Sequence, residues 1–470
     1  MPVNFNDELR LSYLRAAHAA QQTEEADIQT YRDFWDGEQG VLLTDRQKEY
    51  TTTTPESWGN ICPRVVNIPK DRLRISSDGI TPAEETSEAY AAKATEWWNA
   101  DLLLSKQKEV YEASLRDSVS AVIVDWDDTA QRPIFVPNLV RSTAEGLVRF
   151  HYDSDNNLIF ASKRWTITDT INPGETGKVR LTIYRPGLID RYESDNNVAG
   201  GWRALTPAEL EGKPNPQFWT DTGTADGEPL GIPVIPFDNP GGSELKTVII
   251  IQELLNHNLG TMDISIDYHG FPLLWLSGVD LPLNSSGNST IPDFGPGQAI
   301  KLNVDGSMGH LEAADIQKLF DGGVKSWMQV LALIKGWPVY FLDRSQQPPS
   351  GVALQMMEGS LVKQVTDKQD VFSGSWAKAF DIGRKLHKIH TAEDLPGELQ
   401  FNWDSAMTED KLTEAETKKV QYEGFAALDL PRKTKWRLSG MSPDEVDQTV
   451  VDAQSEDEFG LVDFTPATEQ

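Results

Sequence analysis

Apolar residues recur at helical spacing in several stretches of the chain. Over 5–35, Leu9, Tyr13, Ala16, Ala17, Ala20 and Ile28 form a loose stripe, with Asn4 or Asn6 as cap and Trp35-Asp36-Gly37 as the stop. A second helical pattern fills 82–117, with aromatic anchors at Trp97, Trp98 and Tyr111. There Thr81, Pro82 and Glu84 supply an N-cap, a first-position proline and an acidic third position. Over 243–269, Leu245, Val248, Ile249, Gln252, Leu255, Leu259, Met262 and Ile266 share one stripe, which stops at Phe271-Pro272. A further helix is predicted over 312–335 from Ile316, Leu319, Val324, Trp327, Leu331 and Ile334. From 351 to 395 there is no proline, and the run is helix-compatible apart from Gly359, Gly374 and Gly383. A helical glycine costs about 1 kcal/mol relative to alanine, so Gly374, within FSGSW, is the expected kink or break.

Between 119 and 240 the period changes to two. SAVIVDW, PIFVP, LVRFHYD, NLIFASKRWTIT, KVRLTIYRPGLIDRYE and IPVIPF read as short strands of a mostly antiparallel sheet region. The segment 60–75 holds two prolines and reads as an extended stretch followed by a short helix. Residues 277–310 are rich in Gly, Ser, Pro and Asn, with a strand expected at AIKLNV, and LQFNW at 399–403 reads as one more strand. Short helices and an acidic tail follow. The fold class is α+β, and 470 residues suggest two to four subdomains.

Charge narrows the partners. A formal net charge of -29 argues against a generic duplex-DNA binder and against docking on an anionic membrane. The single cysteine, Cys62, excludes an internal disulfide and a cysteine-based zinc site. The N-terminus is too polar for a secretion signal, and the apolar run at 248–251 is far too short to span a bilayer, so a reducing, aqueous compartment is expected.

Motifs for catalysis are weak. GETGKV at 174–179 lacks the spacing and the Ser or Thr of a phosphate loop, and reads as a hairpin turn. DSDNN at 153–157 lacks the glycine and glutamate of a calcium loop, and it reads as turn chemistry, as does ESDNN. His387 and His390 lack a matching carboxylate and read as solvated helix surface. DWDD at 125–128 reads as a turn at a strand end, and Cys62 has no evident base. Neither an enzyme nor a cofactor is indicated.

Three stretches in series carry a resemblance: 236–278, where a Pro-Gly turn enters a long helix closing on Phe-Pro and Trp275; 294–342, where a second long helix ends in Gly336-Trp337-Pro338; and PPSGVALQMMEGSLVKQV at 348–365. With YRDFWDGEQG at 31–40, they make the chain similar, over roughly 25–430, to tailed bacteriophage portal proteins of the siphophage type. The resemblance implies a homo-oligomeric ring, normally of twelve subunits, at the portal vertex of a virion. It would be assembled in the host cytoplasm among major capsid and scaffolding proteins, with no membrane partner. Double-stranded DNA would pass along its axis, and the terminase large subunit and then a head-tail adaptor would dock on it. The portal fold places a wing at 1–242, stem helices at 243–269 and 312–335, and a clip at 270–311. It places the rest of the wing, with a kinked tunnel helix, at 336–403, and a crown with the acidic tail at 404–470.

By the same resemblance, the tunnel loop at 366–375 would face DNA through Lys368, Gln369, Asp370, Ser373 and Gly374. Leu255, Leu259, Met262, Trp327 and Leu331 would pack stem or subunit contacts, and Leu281, Asn284, Ser286 and Asn288 would sit on the docking clip. Six cations against three carboxylates over 360–390 fit either that tunnel or an ordinary solvated face. The alternatives are another ring-forming head-tail connector or scaffold without DNA transit, and a carbohydrate-active enzyme. The fourteen tryptophans suggest the enzyme, but the aromatic residues fall at helix-packing spacing.

Overall fold

The computed structural model describes residues 7–39, 59–138, 147–167, 177–186, 188–195, 201–205, 230–270, 274–277, 306–310, 318, 320–342 and 351–407. The chain divides into a large unit, Met1–Pro348 with Met357–Ala406, and a small one, Pro349–Met356 with Met407–Gln470. Of the small unit, the described part is a stretch of helical backbone at 351–356 and residue 407. The described residues form an α+β protein in which every strand pairing is antiparallel.

Helix α1 (Asp7–Asp36) stops at Gly37, as its pattern predicts. Leu14 and Ala17 bury against Phe160, Leu181, Ile183 and Tyr192, while Phe34 joins the main core. Helix α2 (Cys62–Lys70) begins where an extended segment was expected. Pro63 falls in its first turn, where a missing N–H costs nothing, and Pro69 falls in its last, so neither proline prevents the helix. Strand β1 (Ile75–Pro82) takes up Thr81 and Pro82, so Thr81 is not a helix cap. The helical pattern expected across 82–117 is two helices, α3 (Glu88–Ala100) and α4 (Leu103–Asp117), after a single 3-10 turn at Glu85–Ser87. They break at Leu102, whose φ is 56°. No glycine or proline marks the break. It is held by the buried Asp101 carboxylate, which accepts hydrogen bonds from Arg132 at 2.5 Å and from the Phe135 N–H at 2.6 Å.

The strand region matches the two-residue period. Strands β2 (Val119–Asp127), β3 (Arg132–Asn138) and β9 (Val234–Asp238) form a sheet in the order β3-β2-β9. Strands β4 (Leu147–Tyr152), β5 (Leu158–Thr166), β6 (Val179–Arg185), β7 (Leu188–Ser194) and β8 (Arg203–Ala204) form a five-stranded meander. DSDNN is a turn in which Asp153 accepts hydrogen bonds from the Asp155 and Asn157 N–H groups and Asn156 takes a φ of 63°. Of GETGKV, Gly177 and Lys178 run into β6 with the Gly177 N–H donating to the Ile167 carbonyl at 2.9 Å, and 174–176 lie outside the described residues. In DWDD, Asp127 accepts from the Thr129 and Ala130 N–H groups and so closes a turn.

Helix α5 (Val248–Gly270) leads to strand β10 (Leu274–Ser277), which pairs with β11 (Ser307–His310). A π-helical turn, Phe320–Lys325, runs into α6 (Ser326–Lys335). Gly336 ends α6 in the left-handed region at a φ of 66°. A 3-10 turn at Val339–Phe341 follows, then helix α7 (Gly351–Thr391) and strand β12 (Leu399–Trp403), which pairs with β1.

Helix α7 is continuous for 41 residues, so the expected break at Gly374 does not occur. Leu361, Val365, Phe372, Trp376, Ala379, Phe380 and Leu386 keep one buried stripe through that position. The balance is decided by size: the glycine costs about 1 kcal/mol, whereas each buried large side chain returns about 1.5–3 kcal/mol. Gly374 itself lies on the exposed side, where an added Cβ would meet nothing within 4 Å. Trp376 packs on Trp98 and Phe237 with ring centroids 5.0 and 4.9 Å away, and Phe380 stacks on Phe135 at 4.4 Å. The Trp376 indole N–H donates to the Tyr111 hydroxyl at 2.9 Å, which is linked in turn to Gln107, the partner of the Ile75 backbone.

Candidate assembly site: the helix pair and its junction

Helices α5 and α6 pack together at mid-chain, and their sequence stripes decide which faces meet. Leu255 and Leu331 are fully buried, and Leu259, Met262 and Trp327 pack partly buried against the same core. The expected packing residues are thus brought together, by contacts within one chain. Gln252, in the middle of the α5 stripe, is a buried polar anchor rather than filler. Its side chain accepts from the Ile61 N–H at 2.9 Å and donates to the Gly59 carbonyl at 3.0 Å, fixing α5 to the start of α2.

The two helices meet α7 at a junction of charges. Glu244, just before α5, receives Lys335 from the end of α6 at 2.6 Å and Lys368 from the middle of α7 at 2.9 Å. Lys368 also donates to the Asn239 side-chain oxygen at 2.7 Å. Burial alone would push the Glu244 carboxyl up. The charges of Lys335 and Lys368, and hydrogen bonds from both, outweigh that and pull it down to about 2. One carboxylate therefore ties three helices together, and it must be ionised to do so.

This junction overturns the expected DNA-facing loop. Lys368 is 6% exposed and engaged with Glu244 and Asn239, so it cannot meet a phosphate without leaving two buried partners. Gln369 is buried and donates toward the Arg72 and Asp404 carbonyls. Ser373 accepts the Trp403 indole N–H at 2.7 Å. Asp370 and Gly374 are exposed, but as helix surface and not as a loop. The cation excess over 360–390 is largely neutralised in place: Arg384 and Lys385 pair with Asp381, and Lys388 with Asp394.

The outer face of α6 is different. Val330, Leu333 and Ile334, at i, i+3 and i+4, point away from the core, and Leu333 is 81% exposed. Ile250 of α5 is likewise 62% exposed. Helix α6 is thus apolar on two faces, one covered and one not. Beyond the pair, Trp275 on β10 covers Gly309 on β11 so closely that an added Cβ there would lie 2.6 Å from the indole nitrogen. Leu281, Asn284, Ser286 and Asn288, expected on the clip, lie outside the described residues, as do Ile316 and Leu319.

His387 is not solvated surface. It is 5% exposed, with Nε2 3.0 Å from Glu393 and its ring 5.5 Å from Trp97, while His390 stacks on Trp126 at 4.4 Å. The two imidazoles anchor the end of α7 against α3 and β2. Among the described residues there is no group of three or more His, Cys, Asp or Glu side chains placed to hold a metal. Nor, among them, is any helix long and apolar enough to cross a membrane. Burial pushes the Cys62 thiol up to about 12, so it is not poised as a nucleophile. Sequence reasoning missed Glu244, Gln252 as an anchor, and the Trp376–Tyr111–Gln107 chain. The only signal for Glu244 was a carboxylate ahead of a helix, which is common.

No family model matches the sequence, and a comparison with curated proteins finds no match.

Proposed function

We propose that this chain is the subunit of a portal ring through which double-stranded DNA is packaged and ejected at one capsid vertex. In this reading α5 and α6 are the stem helices, β10 and β11 the base of the clip, and the sheets with α1–α4 and α7 the wing. The carrying observation is the outer stripe of α6, Val330, Leu333 and Ile334, left uncovered by the chain's own core. A monomer gains nothing from such a stripe, whereas a ring needs a helix that packs inward on its own subunit and outward on a copy. The serial resemblance over 236–365 supports the same reading. The tunnel-loop role once expected at 366–375 is not part of it, since that segment lies within a helix.

The test is assembly. The purified chain should form closed rings with a central hole in end-on electron micrographs. Leu333→Glu with Ile334→Glu should leave folded monomers with helical content unchanged. Wild-type protein that stays monomeric at every concentration and salt would overturn the reading. A ring whose channel is too narrow for a duplex would favour a connector without DNA transit.

A further inference from the structure

The three-stranded sheet and the five-stranded meander pack on each other through one apolar cluster. Ala121 and Ile123 of β2 and Val234 of β9 meet Val148, Ala161 and Tyr184 of the meander there. Alternation along β2 puts Asp125 on that same face, two residues beyond Ile123. A carboxyl group thus stands where the pattern calls for an apolar side chain. Among the described residues it accepts one hydrogen bond, from the Trp126 N–H at 2.9 Å, and forms no ion pair. Burial, the largest influence, pushes the Asp125 carboxyl up to about 6. The Trp126 N–H and the charge of Arg191 on β7 pull the other way, and Asp128, just after β2, adds to the rise. Tyr184 of β6 also feels the Asp125 charge, and burial keeps its hydroxyl neutral. Lys163 of β5, on the same face, lies over the Trp165 ring at 5.4 Å, and Arg180 and Glu193 pair with each other at 3.3 Å.

We propose that Asp125 makes the contact between the two sheets a proton-controlled joint, tighter when its carboxyl is neutral than when it is ionised. A neutral carboxyl needs little hydration. A carboxylate between apolar faces, with one hydrogen bond, draws water toward the joint. In the unfolded chain Asp125 loses its proton near the ordinary 3.8, whereas the folded chain holds it to about 6. The joint is therefore fully tight below about pH 4, loosens as pH rises to about 6, and stays loosened above that. This inference does not depend on ring assembly.

Full-length wild type and Asp125→Asn test it, since the amide keeps an acceptor for the Trp126 N–H and cannot ionise. Urea midpoints of the two should coincide at pH 4. At pH 7 the variant should be the more stable, by up to about a hundredfold in the folding equilibrium constant. A variant that is equally or less stable at pH 7, or that fails to fold, would overturn the proposal, as would a gain of the same size at pH 4. Hydrogen exchange locates the effect. At pH 7 the variant should protect residues 119–127 and 179–194 more than wild type does. Added protection elsewhere, with none in these strands, would equally count against the joint.

Discussion

The middle of α7 and the outer face of α6 are both helix surfaces crowded with large apolar residues, yet they end in opposite surroundings. On α7, Phe372, Trp376 and Phe380 are fully enclosed by Trp98, Tyr111, Phe135, Phe237 and Phe401, and even the indole N–H has its acceptor. On α6, Leu331 is enclosed while Leu333 and Ile334, two and three residues further on, face outward. Hydrophobicity states that a surface needs covering. It does not state whether the cover comes from the same chain or from a copy of it.

The comparison can be broken most forcefully at its enclosed side. Trp376→Ala should cost about 3–5 kcal/mol of unfolding free energy, read from denaturant titration, because a large cavity opens and the Tyr111 hydroxyl loses a donor. A cost under about 1 kcal/mol would mean the core is not centred on α7.

Glu244→Gln should cost about 3 kcal/mol near neutral pH, since two buried lysines lose their common counter-charge. The acid limb sharpens this. Glu244 is held at about 2 in the folded chain, against an ordinary value of 4.5, so the unfolded chain takes up the proton first. Its contribution, at most about 3 kcal/mol, is full above about pH 5 and is lost as pH falls toward 2. Urea midpoints between pH 5 and 3 should therefore fall more steeply in wild type than in Glu244→Gln. Parallel profiles would show that the junction carries no such linkage.

The smallest effect is the most specific. Gly374→Ala should stabilise the protein by about 0.5–1 kcal/mol, because the added methyl enters open space on a continuous helix. A destabilised variant would restore the hinge that the unbroken stripe removes.

Period alone made most of the fold legible. The two-residue alternation of 119–240 yields the strands, the stripes of α1 and α5 yield their helices, and the absence of proline over 351–395 yields α7. Where the reading failed, a long-range partner outweighed a local preference. Gly374 did not break α7 because Phe372 and Trp376 are buried on either side of it. Leu102 breaks α3 from α4 with no local breaker, because Asp101 is drawn to Arg132 and the Phe135 backbone. The same reason hid the junction. Lys368 looks like a surface lysine until Glu244, far away in sequence, is placed beside it. His387 looked solvated until Trp97 and Trp126 enclosed it.

The pairing of β1 with β12 sets a schedule for the growing chain. Asn402 donates to Thr81 across 321 residues, and Ile75 lies opposite Trp403. At about 5–20 residues per second, a ribosome that has released β1 takes on the order of twenty seconds to a minute to deliver its partner. During that interval β1 has an open edge, Trp98 and Tyr111 await the α7 rings of Phe372, Trp376 and Phe380, and Trp97 awaits His387. Neighbouring nascent chains on one message would present the same open edges to each other. Correct closure is thus a race between elongation and encounter, and the last third of the chain decides it.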